Sequence, residues 1–213
     1  DSGGNRLVIE SDNTDSLAVG SFAKESAEFS DSVFSNYTPQ RLTIPGSQPH
    51  PGRLVQSAAM SAVEPPKPSY APVLPPELVT DGALSIAQLE AVVYAGQSHT
   101  ELLPNGSRKG FFIGDGTGVG KGREISGVIL DNFLQGRTKA VWVSFNEGLI
   151  ADARRDFAGI GGDPNKIFFQ GKTKASSEIT QQDGILFTTY STLRGGEKKQ
   201  ANDLGQKAGK SRM

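Results

Sequence analysis

The feature that most constrains this chain is a glycine at every second position from Gly114 to Gly122, with Lys121 before the last of them. The apolar run Gly110–Ile113 before it is predicted to be a short strand. Lys121–Gln135 after it is predicted to be an amphipathic helix carrying Ile125, Val128, Ile129 and Leu130, ended near Gly136. Strand, glycine-rich turn and helix form the setting that a phosphate-binding loop requires. Gly116, Gly118 and Gly120 let the backbone turn tightly and point successive N–H groups inward. Those amides and the helix N-terminus carry partial positive charge suited to a triphosphate. Lys121 sets its ammonium against the β- and γ-phosphates. The candidate nucleotide-binding set is therefore Gly116, Thr117, Gly118, Val119, Gly120, Lys121, Gly122 and Arg123, with Lys121 as the candidate catalytic residue.

The match to G-x-x-x-x-G-K-[ST] departs in two places. Asp115 stands where the first glycine belongs, and Gly122 stands where a hydroxyl normally binds Mg²⁺. Helicase-type ATPases tolerate the first departure. The second leaves the metal to Thr117, to water, or to a carboxylate beyond this chain. A Rossmann reading fails, because that fingerprint has no lysine here. Asp152 and Asp156 also lie past a further strand and helix, not about 20 residues on, where a ribose-binding acid belongs. Gln88, 33 residues before Lys121 in LSIAQLEAVVYA, is a second candidate. A carboxamide matches the donor and acceptor of the adenine edge; the alternative is a solvent-facing helix glutamine.

Charge and proline divide the chain. Residues 1–100 hold 5 basic and 11 acidic residues, a net of -6, and residues 101–213 hold 17 and 12, a net of +5. Ten of the twelve prolines lie between Pro39 and Pro76. Residues 1–38 read as an acidic, Ser-rich, disordered arm, with Phe22, Phe29 and Val33 as the alternative helical face. Residues 39–80 read as a Pro-rich extended segment, interrupted by one short helix over Arg53–Val63, that wraps a domain or links to one. Leu42, Ile44, Leu54, Val55, Val73 and Leu74 favour wrapping. Residues 81–194 alternate helix and strand: a helix through about Ser98 capped by Ser85, strands at Ala140–Ser144, Lys166–Gln170 and Ile185–Thr189, and a helix over Glu147–Phe157. Asp131 reads as a surface residue. This pattern is α/β, an incomplete RecA-like P-loop lobe with a parallel sheet covered by helices on both faces. Residues 195–213 form a polar tail. Without cysteine, disulfide, thiol and cysteine–zinc chemistry are excluded. No apolar run reaches the roughly 20 residues of a membrane span.

GFFIGDGTGVGKGREISGVILDNFLQGRTKAVWVS, preceded by HPGRLVQSAAMSAVEPP and LSIAQLEAVVYAGQSH, resembles the strawberry notch family. These are superfamily 2 helicase-like P-loop ATPases, and the resemblance is closest to bacterial, plasmid and phage members. It runs from about Thr38 to Arg194, and its loop keeps the unusual Gly122-Arg123 pair. The resemblance implies ATP and Mg²⁺ as cofactors, and a nucleic acid, DNA rather than RNA, as partner. It implies nucleic-acid-facing segments at VSFNEGLIADARRDF, with Ser144 and Asn146, and at TTYSTLRGG, with Thr189, Tyr190, Ser191 and Arg194. It also implies an acidic strand motif and a second lobe with an arginine finger, neither of which occurs in these 213 residues. The expectation is therefore an N-terminal piece of a helicase core, inactive alone, in the cytoplasm of a bacterium or a phage or plasmid host. A non-catalytic nucleotide- or protein-binding module is the other reading.

Overall fold

A computed structural model of the chain describes residues 6–10, 34–37, 39, 41–116, 118–169 and 178–194. The Phe22, Phe29 and Val33 face and residues 195–213 lie outside these. The chain divides into two compact units, Asp1–Val128 and Ile129–Met213, each with its own core.

In the first unit, strands β1 (Phe34–Asn36) and β2 (Val55–Ser57) form an antiparallel pair, with Phe34 opposite Ser57. Ser57 then caps the short helix α1 (Ala58–Ser61) by accepting a bond from the Met60 amide at 3.2 Å. The single helix expected over Arg53–Val63 is thus half strand and half helical turn. The hydroxyl at Ser57 starts the helix late, and the strand pairing claims the residues before it.

Helix α2 (Pro76–Thr80) opens on proline, where a missing N–H costs nothing. Helix α3 (Ile86–Thr100) is the centre of the unit. Its cap Ser85 and Gln88 form a reciprocal capping box, as S-x-x-Q predicts. Leu84, Leu89, Val92 and Val93 are buried together with Leu42, Ile44, Val73 and Leu74 of the Pro-rich segment. Each such side chain contributes about 1.5–3 kcal/mol by leaving water. Residues 6–10 join this layer: Arg6 bridges to Val73, Glu10 bridges to Thr43, and Leu7 is buried.

Prolines donate no backbone hydrogen bond, so this segment docks partly through its carbonyls. Tyr94 Oη donates to Pro66 O at 2.9 Å and Gln97 Nε2 to Lys67 O at 3.2 Å, while Gln97 Oε1 accepts from the Ser69 amide at 2.8 Å. The Tyr70 ring lies over Gly96 of α3, so close that an added Cβ would sit 2.1 Å from it. After α3, residues 101–109 turn back on themselves, with Leu102 bridging Arg108 and the Lys109 ammonium 2.6 Å from Glu101.

The stretch Gly110–Ile113, expected as a strand, pairs with nothing among the described residues, and Phe112 is 87 % exposed. An apolar run becomes a strand only when a neighbour takes its N–H and C=O groups, and none of the described strands does so. Helix α4 (Lys121–Leu134) follows the glycine loop. Its Gly127 meets α3 closely, for a Cβ there would lie 2.7 Å from Val92.

In the second unit, α4 ends in a Schellman motif. Gly136 has φ 83°, the Gly136 amide bonds Phe133 O, and the Arg137 amide bonds Asn132 O. Strands β3 (Lys139–Ser144), β4 (Ile167–Phe169) and β5 (Gly184–Thr189) form a parallel sheet in the order β3-β5-β4. The central β5 carries Ile185 and Phe187, both fully buried, as a strand flanked on two sides should. Helix α5 (Ile150–Ala158), entered through a 3-10 turn at Glu147–Leu149, connects β3 towards β4 and buries Ala153 and Phe157. Phe133 meets Phe157 edge-on at 6.0 Å, and Arg154 Nη2 donates to Ile167 O at 2.8 Å. Asp131, expected at the surface, is buried and accepts from Gln135 Nε2 at 2.7 Å.

Candidate nucleotide site and sheet-edge face

The glycine loop lies in the first unit. Gly118 has φ 97° and Gly120 φ 87°, backbone angles that side-chain-bearing residues avoid. A Cβ at Gly116 or Gly118 would meet nothing within 4 Å, so both glycines border open space. At Gly120 a Cβ would sit 2.6 Å from Gln88 Nε2. Gln88 is buried, and its carboxamide bridges two elements. Oε1 accepts from the Ser85 amide at 3.0 Å, and Nε2 donates to Val119 O at 2.9 Å. The capping residue of α3 therefore also fixes the loop.

Lys121 begins α4 and folds back over the loop, its Nζ donating to Asp115 O at 2.7 Å and Gly116 O at 3.1 Å. Gly122 carries no side chain to offer a metal. Arg123 turns away towards the entry of α3, donating to Ala83 O at 2.8 Å. Thr117 lies outside the described residues.

Three carboxylates, Asp115 of this loop, Glu124 and Glu90, act on one another, which the motif did not announce. Glu124, three residues after Lys121 and on its side of α4, is fully buried. Burial, then a hydrogen bond with the Asp115 carboxyl and the charge of that group, pushes Glu124 well above the ordinary carboxylate range, with Lys121 pulling it back. Glu90 on α3 accepts from the Tyr37 hydroxyl. Burial, and next the Asp115 charge, pushes it up to about 7. The signal for Glu124 was its spacing from Lys121, since i and i+3 share a helix face.

The residues fit a nucleotide and its metal. The glycine loop and the helix N-terminus suit phosphate oxygens, and the Asp115 carboxyl is a hard donor of the kind Mg²⁺ takes. Among the described residues no group of three or more His, Asp or Glu is placed to hold a metal unaided.

In the second unit, both segments singled out after β3 and β5 come to the same edge of the sheet. Ser144 is in register with Thr189 at the C-terminal ends of adjacent parallel strands. Asn146 Oδ1 caps the 3-10 turn by accepting from the Leu149 amide at 3.3 Å. Thr189 is buried and accepts from the Thr192 amide at 3.2 Å, starting the helical residues 190–194. Tyr190, Ser191 and Arg194 are exposed beside it, Tyr190 at 63 %. The carboxyl end of parallel strands is where open α/β sheets bind ligands.

Comparison with known proteins agrees with the loop. The profile of a family described as P-loop containing NTP hydrolase pore-1 matches residues 49–212. The protein strawberry notch of Drosophila melanogaster is 43 % identical over 168 residues, covering 76 % of this chain and 10 % of that protein. Strawberry notch homolog 2 of Homo sapiens is 46 % identical over 163 residues, 76 % of this chain and 12 % of that one. FORGETTER 1 of Arabidopsis thaliana is 40 % identical over 180 residues, 82 % and 14 % respectively. The chain thus spans between a tenth and a seventh of these relatives, which are animal and plant proteins. No solved structure matches. No helix among the described residues is long and apolar enough to cross a membrane. With more than half its length matched by that profile, the chain belongs to the P-loop NTP hydrolase family that it shares with the strawberry notch proteins.

Proposed function

We propose that this chain is the ATP-holding part of a helicase-like, nucleic-acid-dependent ATPase. The observation that carries the reading is the loop. It has two left-handed glycines, open space beside Gly116 and Gly118, and a lysine whose ammonium is held across the loop by two backbone carbonyls. Phosphate oxygens are stronger acceptors than those carbonyls, so Lys121 exchanges them for the β- and γ-phosphates. The amides of residues 116–120 and the start of α4 hold the remaining oxygens. An amide nitrogen has two protons. One of Gln88 goes to Val119, and the other is the donor offered to adenine. Mg²⁺, when bound, neutralises charge on the phosphates.

Nucleic acid lies along the sheet edge of the second unit. Tyr190 offers a base-stacking ring, and Ser191, Arg194, Ser144 and Asn146 offer phosphate contacts. Thr189, buried under this edge, positions it. The +5 balance of residues 101–213 suits a polyanion. Residues 1–213 contain no Asp-Glu strand motif, and turnover needs such a carboxylate and an arginine finger. The 213 residues by themselves bind ATP and do not hydrolyse it.

A fluorescent ATP titration tests the core of this reading. Lys121→Ala should weaken binding by about 10- to 100-fold, the loss of charge-assisted hydrogen bonds. A guanine nucleotide should bind less well than ATP. Equal binding by wild type and Lys121→Ala, or phosphate release by the 213 residues that Lys121→Ala abolishes, would overturn the corresponding half.

A further inference from the structure

Two large aromatic side chains stand in solvent at the C-terminal edge of the second unit's sheet. Phe145 is 82 % exposed and Tyr190 63 %. Single exposed apolar residues are ordinary, but these two are not scattered. Phe145 directly follows Ser144, the last residue of β3, and Tyr190 directly follows Thr189, the last residue of β5. Ser144 and Thr189 are register partners on adjacent parallel strands, which run about 4.8 Å apart. The two aromatic residues therefore leave the same sheet edge, one strand apart. The backbone beside each is fixed by a cap. Asn146 Oδ1 accepts from the Leu149 amide at 3.3 Å, and Thr189 Oγ1 accepts from the Thr192 amide at 3.2 Å. Side chains on a backbone already fixed in this way lose little freedom on meeting a ligand. Charge is sparse on this edge. Over residues 144–149 and 189–194, Glu147 is the one acidic residue and Arg194 the one basic residue. Residues 129–213 as a whole hold 13 basic and 9 acidic residues, a net of +4.

Resting on the nucleic-acid reading above, we infer that Phe145 and Tyr190 form a stacking platform for two unpaired bases, so that this edge binds single-stranded nucleic acid in preference to a duplex. Every base offers a π-face to an aromatic ring, but in a duplex the neighbouring pairs cover that face and unstacking them is costly. Ser191 and Arg194, exposed beside Tyr190, meet the backbone of the bound strand. The net +4 of the unit draws a polyanion in. With one cation on the edge itself, stacking carries most of the affinity, and the salt dependence is shallow, a slope of about -0.7 for each phosphate neutralised on a single strand.

The test uses the 213-residue chain and fluorescence anisotropy. The probes are oligothymidylate of about twenty nucleotides, its duplex with oligoadenylate, oligouridylate, and an abasic strand of the same length. Wild type should bind a single strand more tightly than the duplex or the abasic strand. Phe145→Ala and Tyr190→Ala should each weaken the single strand by about 10- to 100-fold and leave the duplex and the abasic strand unchanged. Such a loss from oligothymidylate, from oligouridylate or from both supports the inference and names the sugar that the edge accepts. Leu149 and Leu193 are exposed on the same rim, so stacking must be separated from plain apolar contact. Phe145→Trp should keep the affinity and Phe145→Leu should not. Both aromatic positions are exposed, so the thermal melts of the variants should superimpose on that of wild type. If Phe145→Ala melts early, Tyr190→Ala and Tyr190→Leu carry the comparison. Single-strand affinity unchanged in the folded variants, or lost equally from the duplex and the abasic strand, overturns the inference and leaves the two rings as a surface for protein. Failure of wild type to bind any of the four probes overturns the nucleic-acid reading instead, and this inference with it.

Discussion

Replacing Gly120 by alanine strains the loop in two separable ways. The backbone at φ 87° disfavours any side chain, by about 1–2 kcal/mol. The new Cβ would also lie 2.6 Å from Gln88 Nε2, so the carboxamide must leave and its bond to Val119 O is lost. A lost hydrogen bond of this kind adds about 0.5–1.5 kcal/mol. The total expected for Gly120→Ala is about 1.5–3.5 kcal/mol. Gly118→Ala is the internal control. Its φ of 97° carries the same conformational penalty, but its Cβ meets nothing. Urea unfolding followed by far-ultraviolet circular dichroism measures both, and the excess of Gly120→Ala over Gly118→Ala, about 1 kcal/mol, isolates the Gln88 contact. In a Gln88→Ala background that excess should vanish, because the double-mutant cycle removes the partner. An excess that persists without Gln88, or none at all, would refute the claim that Gln88 braces the loop.

Glu90 gives a pH dependence. Its carboxyl is pushed up to about 7, so between about 4.5 and 7 the native chain keeps a proton that the unfolded chain has released. Stability therefore falls as pH rises through that window, by about 3 kcal/mol if the whole shift is expressed. Glu90→Gln should flatten the profile and be the more stable chain above it, and parallel profiles from urea titrations would refute this. At Gly96, alanine would place a Cβ 2.1 Å from the Tyr70 ring, and overpacking of this kind costs about 1–3 kcal/mol. Tyr70→Ala should absorb most of that loss, so strictly additive stabilities would argue against the docking of the Pro-rich segment on α3. On the sheet edge, Arg194→Ala should weaken single-stranded DNA binding and reduce its salt slope by about 1, and Tyr190→Ala should weaken it with the slope unchanged. Identical slopes for wild type and Arg194→Ala would remove Arg194 from the phosphate contacts.

Local chemistry made much of this fold legible. Ser85 announced the start of α3, Gly136 the end of α4, and the β-branched runs before Ser144 and Thr189 the parallel strands, because caps and apolar periodicity act within a few residues. The glycine–lysine loop was legible for the same reason. What required long-range packing was not. Residues 110–113 have strand composition without a strand neighbour, and a neighbour is a property of distant chain. Glu124 looks like an ordinary first-turn acid, and only its surroundings make it a fully buried one that meets the Asp115 carboxyl. Gln88 was read for the ligand it can touch. Its place in the capping box is local, and its bond to Val119 depends on a loop 31 residues away.

That shared carboxamide has a consequence for how the first unit breathes. The opening turn of α3 and the phosphate loop cannot loosen independently, because releasing Gln88 frees both at once. They form one opening unit, and a ligand that steadies the loop slows solvent exchange at the amides of Ser85 and Gln88. Those two amides are a built-in reporter on the state of the loop.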